Sequence, residues 1–277
     1  MGTVGFGCGQ CLPCRIHRRR MWSTRIYLES LCHERSAFVT LTYAPEKIPQ
    51  GGSLEPRALQ LFLKRLRFNS DAPLRFFGVG EYGDQTERPH YHLALYGLSA
   101  LDARVVERSW RDGFAMVGDL TEQSAAYIAG YVTKKMTHAS DPRLGGRHPE
   151  FARMSLRPGI GALAMATLAS ALNNQHGSRE LRLTGDVPYQ LRLGRKSLPL
   201  ARYLRQRLRK EMCLEDDDTR AARDRFSLDA SAEVLALLKT ALDAKEVATP
   251  RSVILQRDLQ KIRNVESRSK LKGVRML

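Results

Sequence analysis

Apolar positions along the first 130 or so residues change period several times, and each change marks an element. Leu59, Phe62, Leu63 and Leu66 fall on one helical stripe, with Lys64, Arg65 and Arg67 off it and Pro56 suited to the first turn. Upstream, Phe38-Val39-Thr40-Leu41-Thr42-Tyr43 is β-branched and aromatic and is closed by Pro45 and Pro49, which predicts a strand. Leu74 to Val79 and His90 to Tyr96 predict two more strands, and the polar turn from Gly83 to Pro89 makes them a hairpin-like pair. Phe114 to Val117 predicts a fourth strand. Thr121 as N-cap with Glu122 in the first turn then opens a helix running to about Met136. At the other end, Arg15 to Glu34 is charged, with Trp22, Ile26, Leu28 and Leu31 as its apolar content, and predicts a basic helix.

Strands and helices mix here without the regular alternation of a parallel sheet. The expected class is therefore α+β, an antiparallel sheet flanked by helices. Beyond Thr137 the pattern fades into the loop-like run Asp141 to Pro149. Helical periodicity returns at Leu235, Leu238 and Leu242, and the basic segment Arg251–Leu277 has few large apolar groups. The expected division is a domain over 1–165 followed by a basic, mainly helical region over 166–277.

Charge narrows the partners. In 277 residues, 45 Lys and Arg against 29 Asp and Glu give a net charge of +16, a surplus that attracts polyanions, nucleic acid first among them. No apolar run is long enough to span a bilayer, and the N-terminus lacks the apolar core of a secretory signal, so the expected location is cytoplasmic with no membrane partner. The 5 cysteines do not form a secreted disulfide framework. Cys8, Cys11 and Cys14 have a spacing that permits a small structural metal site, or they are thiols near a helix start.

Two constellations carry chemistry. His90 and His92, at i and i+2 on a strand, point their imidazoles to one face, while Tyr91, Leu93 and Leu95 point to the other. Glu81 lies upstream, across the turn, where a hairpin brings a carboxylate level with them. Imidazole and carboxylate with open positions suit Mg²⁺ or Mn²⁺ better than a closed zinc site; a packed histidine pair beside an exposed turn glutamate is the alternative. Tyr127, Tyr131 and Lys134 or Lys135 share one helical face, which a plain core stripe would not end in two lysines. A phenol is a poor nucleophile until a cation lowers the cost of its anion, and Lys134 is placed to do that.

In order, Phe38–Tyr43, Gly80-Glu81-Tyr82-Gly83, Arg88-Pro89-His90-Tyr91-His92 and Tyr127-Ile128-Ala129-Gly130-Tyr131-Val132-Thr133-Lys134 resemble the motifs of HUH endonucleases. The similarity is greatest to the replication-initiation proteins of gokushovirus-like microviruses, and it covers roughly residues 8 to 165, including Cys8–Arg15 and Met154–Gly161. The resemblance implies an HUH-like sheet with His90, His92 and Glu81 as metal ligands. It implies Tyr131 and Tyr127 as paired nucleophiles, Tyr131 leading because Lys134 follows it by three residues.

The implied activity is nicking and rejoining of single-stranded DNA at an origin through a 5′-phosphotyrosine, with the freed 3′-hydroxyl used by host replication machinery. Lys135, Arg88 and Tyr82 are the expected DNA contacts, with Tyr82 or Phe38 stacking on bases. A non-catalytic single-stranded nucleic-acid-binding protein is the alternative reading, and an HUH transposase or relaxase shares the chemistry with another purpose. Gly130 has no role derivable from the sequence.

Overall fold

The computed structural model describes residues 11–131, 140–174, 186–194 and 196–214, with single positions at 181, 260, 263, 264 and 267. The expected helix around Leu235 to Leu242 and, apart from those single positions, the C-terminal segment lie outside these, as do Cys8, Lys134 and Lys135.

Five strands, β1 (Ser36–Tyr43), β2 (Arg75–Tyr82), β3 (Pro89–Tyr96), β4 (Gly113–Asp119) and β5 (Phe151–Met154), form one sheet in the order β4-β1-β3-β2-β5. Every pairing is antiparallel, so the sheet agrees with the sequence expectation. The helices are α1 (Leu12–Ser30), α2 (Pro56–Asn69), α3 (Ala103–Ser109), α4 (Glu122–Tyr131), α5 (Ala164–Leu172) and α6 (Arg202–Glu211), and a small hairpin joins β6 (Gln190–Leu193) to β7 (Lys196–Pro199).

Alternation along the strands divides the core into two layers. Val39, Leu41 and Tyr43 of β1 and Tyr91, Leu93 and Leu95 of β3 face one side, where Ala58, Leu59, Phe62, Leu63 and Leu66 of α2 cover them with Val106 and Trp110. Each large side chain so buried gains about 1.5–3 kcal/mol over exposure, which sets the helical stripe of α2 against the sheet. On the other side Phe77, Val79, Ala94 and Tyr96 pack on Ile26 of α1 and on Ala125, Ile128 and Ala129 of α4. Because both faces are covered, β2 and β3 are buried almost continuously, whereas β1 alternates between buried and half-buried positions.

β5, α3 and the β6–β7 hairpin were not expected from the sequence, and α5 and α6 only as unplaced helix in a mainly helical region. β5 has four residues, Phe-Ala-Arg-Met, without a β-branched run, and α3 has only seven. β2 also runs further than its apolar stretch suggests, through Glu81 to Tyr82. Glu81 is therefore a strand residue and not a turn residue.

The contacts divide the chain into two compact units, one of them Arg18–Leu168 with Gln190–Leu204, which holds the five-stranded sheet. The other includes, among its described residues, 11–17, 169–174, 186–189 and 205–214. There the Asp186 carboxylate accepts from the guanidinium groups of Arg205 and Arg209, and Arg205 lies 3.6 Å over the Tyr189 ring. Among the described residues no helix is long and apolar enough to cross a membrane.

Candidate metal and tyrosine site

Register brings the acidic and imidazole groups together. Glu81 of β2 lies directly opposite His90 of β3, and opposed residues of an antiparallel pair project to the same face. His92, two residues on, shares that face. Oε1 of Glu81 stands 2.7 Å from His90 Nε2 and 3.0 Å from His92 Nε2. Among the described residues this is the one group of three His, Cys, Asp or Glu whose ligand atoms converge, all within 4.8 Å of one another.

The outer nitrogens of both rings are also engaged. His90 Nδ1 lies 3.0 Å from the Arg88 carbonyl, an acceptor, and with a cation in place of a proton between Nε2 and Glu81, Nδ1 donates there and Nε2 presents a lone pair. His92 Nδ1 lies 2.9 Å from Thr40 Oγ1 on β1, the residue paired with it in the ladder. When that nitrogen donates to the hydroxyl, both Nε2 lone pairs and a carboxylate oxygen point at one place. Such a cluster suits a divalent cation, and outer partners of this kind fix ring tautomer and orientation in metal sites. Glu81 is 2% and His92 4% exposed, so the ligand atoms sit on a rigid, largely dry part of the sheet.

α4 brings the tyrosines to the same place. The Tyr131 ring is stacked on His92, with centroids 5.0 Å apart and planes 10° from parallel. Tyr127 meets His92 edge-on at 5.2 Å, and the two phenol rings are 5.0 Å apart. Burial, the hydrogen bond to Tyr127 and the negative charge of Glu81 all push the Tyr131 phenol well above its ordinary value. Tyr127 is 47% exposed and is the more accessible of the two.

α4 lies close to the sheet because Ala125 and Ala129 are small, and it is tied to α1 by Arg19, whose Nε donates to the Ala126 carbonyl at 3.1 Å. The structure gives Gly130 no steric role. The Arg19 guanidinium passes there, but 3.5–3.8 Å from where a Cβ would stand, an ordinary contact distance that leaves room for a methyl group.

Other expected contacts are placed differently. Tyr82 is 2% exposed, its hydroxyl donates to the His148 carbonyl and accepts from Leu54 N–H, and the Arg147 guanidinium covers its ring at 4.5 Å. It is a core anchor with no open face for a base, which corrects the stacking role expected of it. Phe38 is half-buried between His92, nearly parallel at 5.8 Å, and Tyr127, edge-on at 6.0 Å. Arg88 is exposed and donates from one terminal nitrogen to the Tyr43 carbonyl. Cys11 and Cys14 form no disulfide and belong to no metal-ligand cluster among the described residues. Sequence reasoning missed Thr40, whose only signal was its place on the strand that pairs with β3.

Comparison with known proteins finds similarity over the span that carries this geometry. A model of the family described as replication-associated protein ORF2/G2P matches residues 36–136. The chain is 30% identical over 164 residues to replication-associated protein VP4 of Bdellovibrio phage phiMH2K, covering 51% of this chain and 52% of that one. It is 30% identical over 178 residues to replication-associated protein ORF2 of Spiroplasma virus 4, covering 56% and 55%. With replication-associated protein ORF4 of Chlamydia phage 1 the identity is 25% over 157 residues, 48% of this chain and 39% of that one. The match thus spans about half the length of the first two relatives, and no solved structure matches. The matched span opens with β1 and closes beyond Tyr131, so the similarity to the replication-associated protein ORF2/G2P family takes in the whole converging cluster.

Proposed function

We infer that the chain nicks and rejoins single-stranded DNA at a replication origin, with a tyrosine of α4 as nucleophile. The observation that carries this reading is the packing of both Tyr131 and Tyr127 against His92, which puts two phenols beside one Glu-His-His cluster. A buried histidine pair that served only the core would have no need of two hydroxyl-bearing rings from a separate helix.

Glu81, His90 and His92 would hold Mg²⁺ or Mn²⁺, their oxygen and nitrogen donors suiting such an ion. Bound there, the ion would act as a Lewis acid on the scissile phosphate and orient it for in-line attack. The protein's own part is positional. The sheet fixes the phosphate through the ligands, and α4 presents the phenol oxygen to phosphorus.

In the proposed reaction the tyrosine oxygen forms a bond to phosphorus as the bond to the 3′-oxygen breaks. The phenol loses a proton, the 3′-oxygen gains one, and the phosphate remains a diester, now a 5′-phosphotyrosine. Rejoining reverses these steps, so no nucleotide cofactor is needed. The free 3′-hydroxyl would serve a host polymerase. Tyr131 is the proposed leading nucleophile, and Tyr127, one helical turn away, would cut a regenerated origin while the first is occupied. Lys134 is proposed to favour the phenolate, on sequence grounds.

The test is incubation with Mn²⁺ and cognate single-stranded phage DNA, resolved on a denaturing gel. A metal-dependent covalent adduct is expected, reduced by Tyr131→Phe, less so by Tyr127→Phe, and absent in the double variant. A chain that binds this DNA without forming any adduct would be a non-catalytic single-strand binder, and this reading would fall.

A further inference from the structure

Beside the cluster, two large apolar side chains stand in solvent on the same face of the sheet. Phe114 and Met116 of β4 are 67% and 61% exposed. Phe114 lies opposite Thr42, Thr42 opposite His90, and His90 opposite Glu81, so one row of side chains crosses four strands. The next row runs Met116, Thr40, His92, Val79. Opposed residues share a face, so Phe114 and Met116 extend the surface that carries the imidazoles. At ~4.8 Å per strand, Phe114 stands ~10 Å from His90, a reach of roughly one or two nucleotides.

Nothing in the fold asks for apolar groups there. Their neighbours Ala115 and Val117 turn inward and pack on the core, so the strand is already anchored. α1 and α4 cover the rows of Phe77 and Ala94 but leave β4 open, and a Cβ at Gly118 would meet nothing within 4 Å. An edge strand that only closed the sheet would carry polar or charged residues on such a face. Isolated exposed apolar residues are ordinary, but two adjacent in register and continuous with a catalytic cluster mark a binding surface.

We propose that Phe114 and Met116 form a base-stacking platform that holds single-stranded DNA beside the scissile phosphate, with Arg88 taking the sugar-phosphate backbone. The proposal rests on the nuclease reading above. An aromatic ring and a thioether offer flat or polarisable contact to any base, a sequence-tolerant mode. Arg88 supplies the cation in the right place: it bonds the carbonyl of Tyr43, which pairs with Gly113, the residue preceding Phe114. The net charge of +16 favours a polyanion over a second copy of the chain as occupant.

Three measurements test this on the full chain. Affinity for a fluorescent oligodeoxythymidylate would be followed by anisotropy without added metal, for wild type and for Phe114→Ala/Met116→Ala. The double variant should bind about five- to a hundredfold more weakly, with an unchanged salt slope, whereas Arg88→Ala should lower that slope by about one. Phe114→Trp should bind normally and show indole quenching as the oligonucleotide is added.

Equal affinity of the double variant in a chain that still binds DNA and forms the tyrosine adduct would overturn the platform alone. Failure of the wild type to bind single strands would overturn the nuclease reading with it. A double variant whose sedimentation shows a lost dimer, with DNA affinity unmoved, would assign the surface to a second copy and likewise overturn the proposal.

Discussion

Gly80 precedes Glu81, and the structure states what a side chain there would meet. A Cβ would lie 2.7 Å and 2.9 Å from Cε1 and Cζ of Phe151 and 3.2 Å from Cδ2 of Leu54. Phe151 is the residue opposite Gly80 on β5, and its ring has little room to turn. It meets the rings of Tyr91 at 6.2 Å and His148 at 5.5 Å, and Leu54 is only 2% exposed. Gly80→Ala therefore overpacks the junction of β2 and β5, which should cost about 1–3 kcal/mol. For a unit of roughly 150–250 residues that lowers Tm by about 2–12 °C.

The assay is urea and thermal unfolding of wild type, Gly80→Ala, Phe151→Leu and the double variant, with Mn²⁺ titration alongside. Leucine lacks the two atoms that clash, so Phe151→Leu should restore stability in the Gly80→Ala background, with a coupling of about 0.5–3 kcal/mol in the cycle. Mn²⁺ affinity should fall in Gly80→Ala, because displacing β2 moves Glu81, and should return in the double variant. A single variant with unchanged Tm, or effects that add within about 0.5 kcal/mol, would refute the steric account of this glycine.

Thr40→Val keeps the strand but removes the hydroxyl 2.9 Å from His92 Nδ1, and should weaken Mn²⁺ binding roughly 10–100-fold by calorimetry, with Thr40→Ser retaining it. Tyr91→Phe removes a hydroxyl that donates to the Glu55 carbonyl, accepts from Glu55 N–H and pairs with Tyr43; it should cost about 1–3 kcal/mol in urea unfolding while Mn²⁺ affinity stays put, since Tyr91 points away from the cluster. Burial alone would raise the Asp186 carboxyl, but Arg209 and Arg205 outweigh it and hold the folded value below the ordinary one. Its contribution is thus present above the unfolded value, and it is lost as pH falls below about 4 and on through the folded value. Unfolding followed against pH should show this acid loss in wild type and a flatter profile in Asp186→Asn.

What the sequence made legible was short-range. His90 and His92 needed only strand alternation, and Glu81 only the hairpin that follows it, so the converging cluster could be read before any fold was known. Tyr127 and Tyr131 needed only helical spacing. Thr40 meets His92 from 52 positions away, and nothing in the run Phe38–Tyr43 distinguishes it from Thr42. Tyr82 was misjudged for the same reason: its hydroxyl is captured by Leu54 and His148, 28 and 66 positions distant, so its burial depends on loops with no periodicity. Four-residue β5 escaped because its pairing to β2, and not its composition, makes it a strand.

The division of labour between sheet and helix follows from how each is held. The proposed ligands Glu81, His90 and His92 sit on β2 and β3, interior strands paired on both sides, where a one-residue slip would turn each of them to the other face. Their relative positions are therefore set by the ladder itself. The tyrosines sit on α4, held by Ala125, Ile128 and Ala129 against the sheet and by the Arg19 bond to Ala126, contacts that fix a height above the sheet and an axial position. Side-chain packing yields more readily than a ladder of backbone hydrogen bonds. The Glu-His-His set can thus stay formed while α4 shifts, which in the proposed reaction would lose the approach of a phenol to the phosphate. In the proposed reaction, binding of an ion and attack by tyrosine would then be separable, the first belonging to strands and the second to the seating of one helix. Arg19, which ties α4 to α1, would serve attack in that reaction and not metal binding.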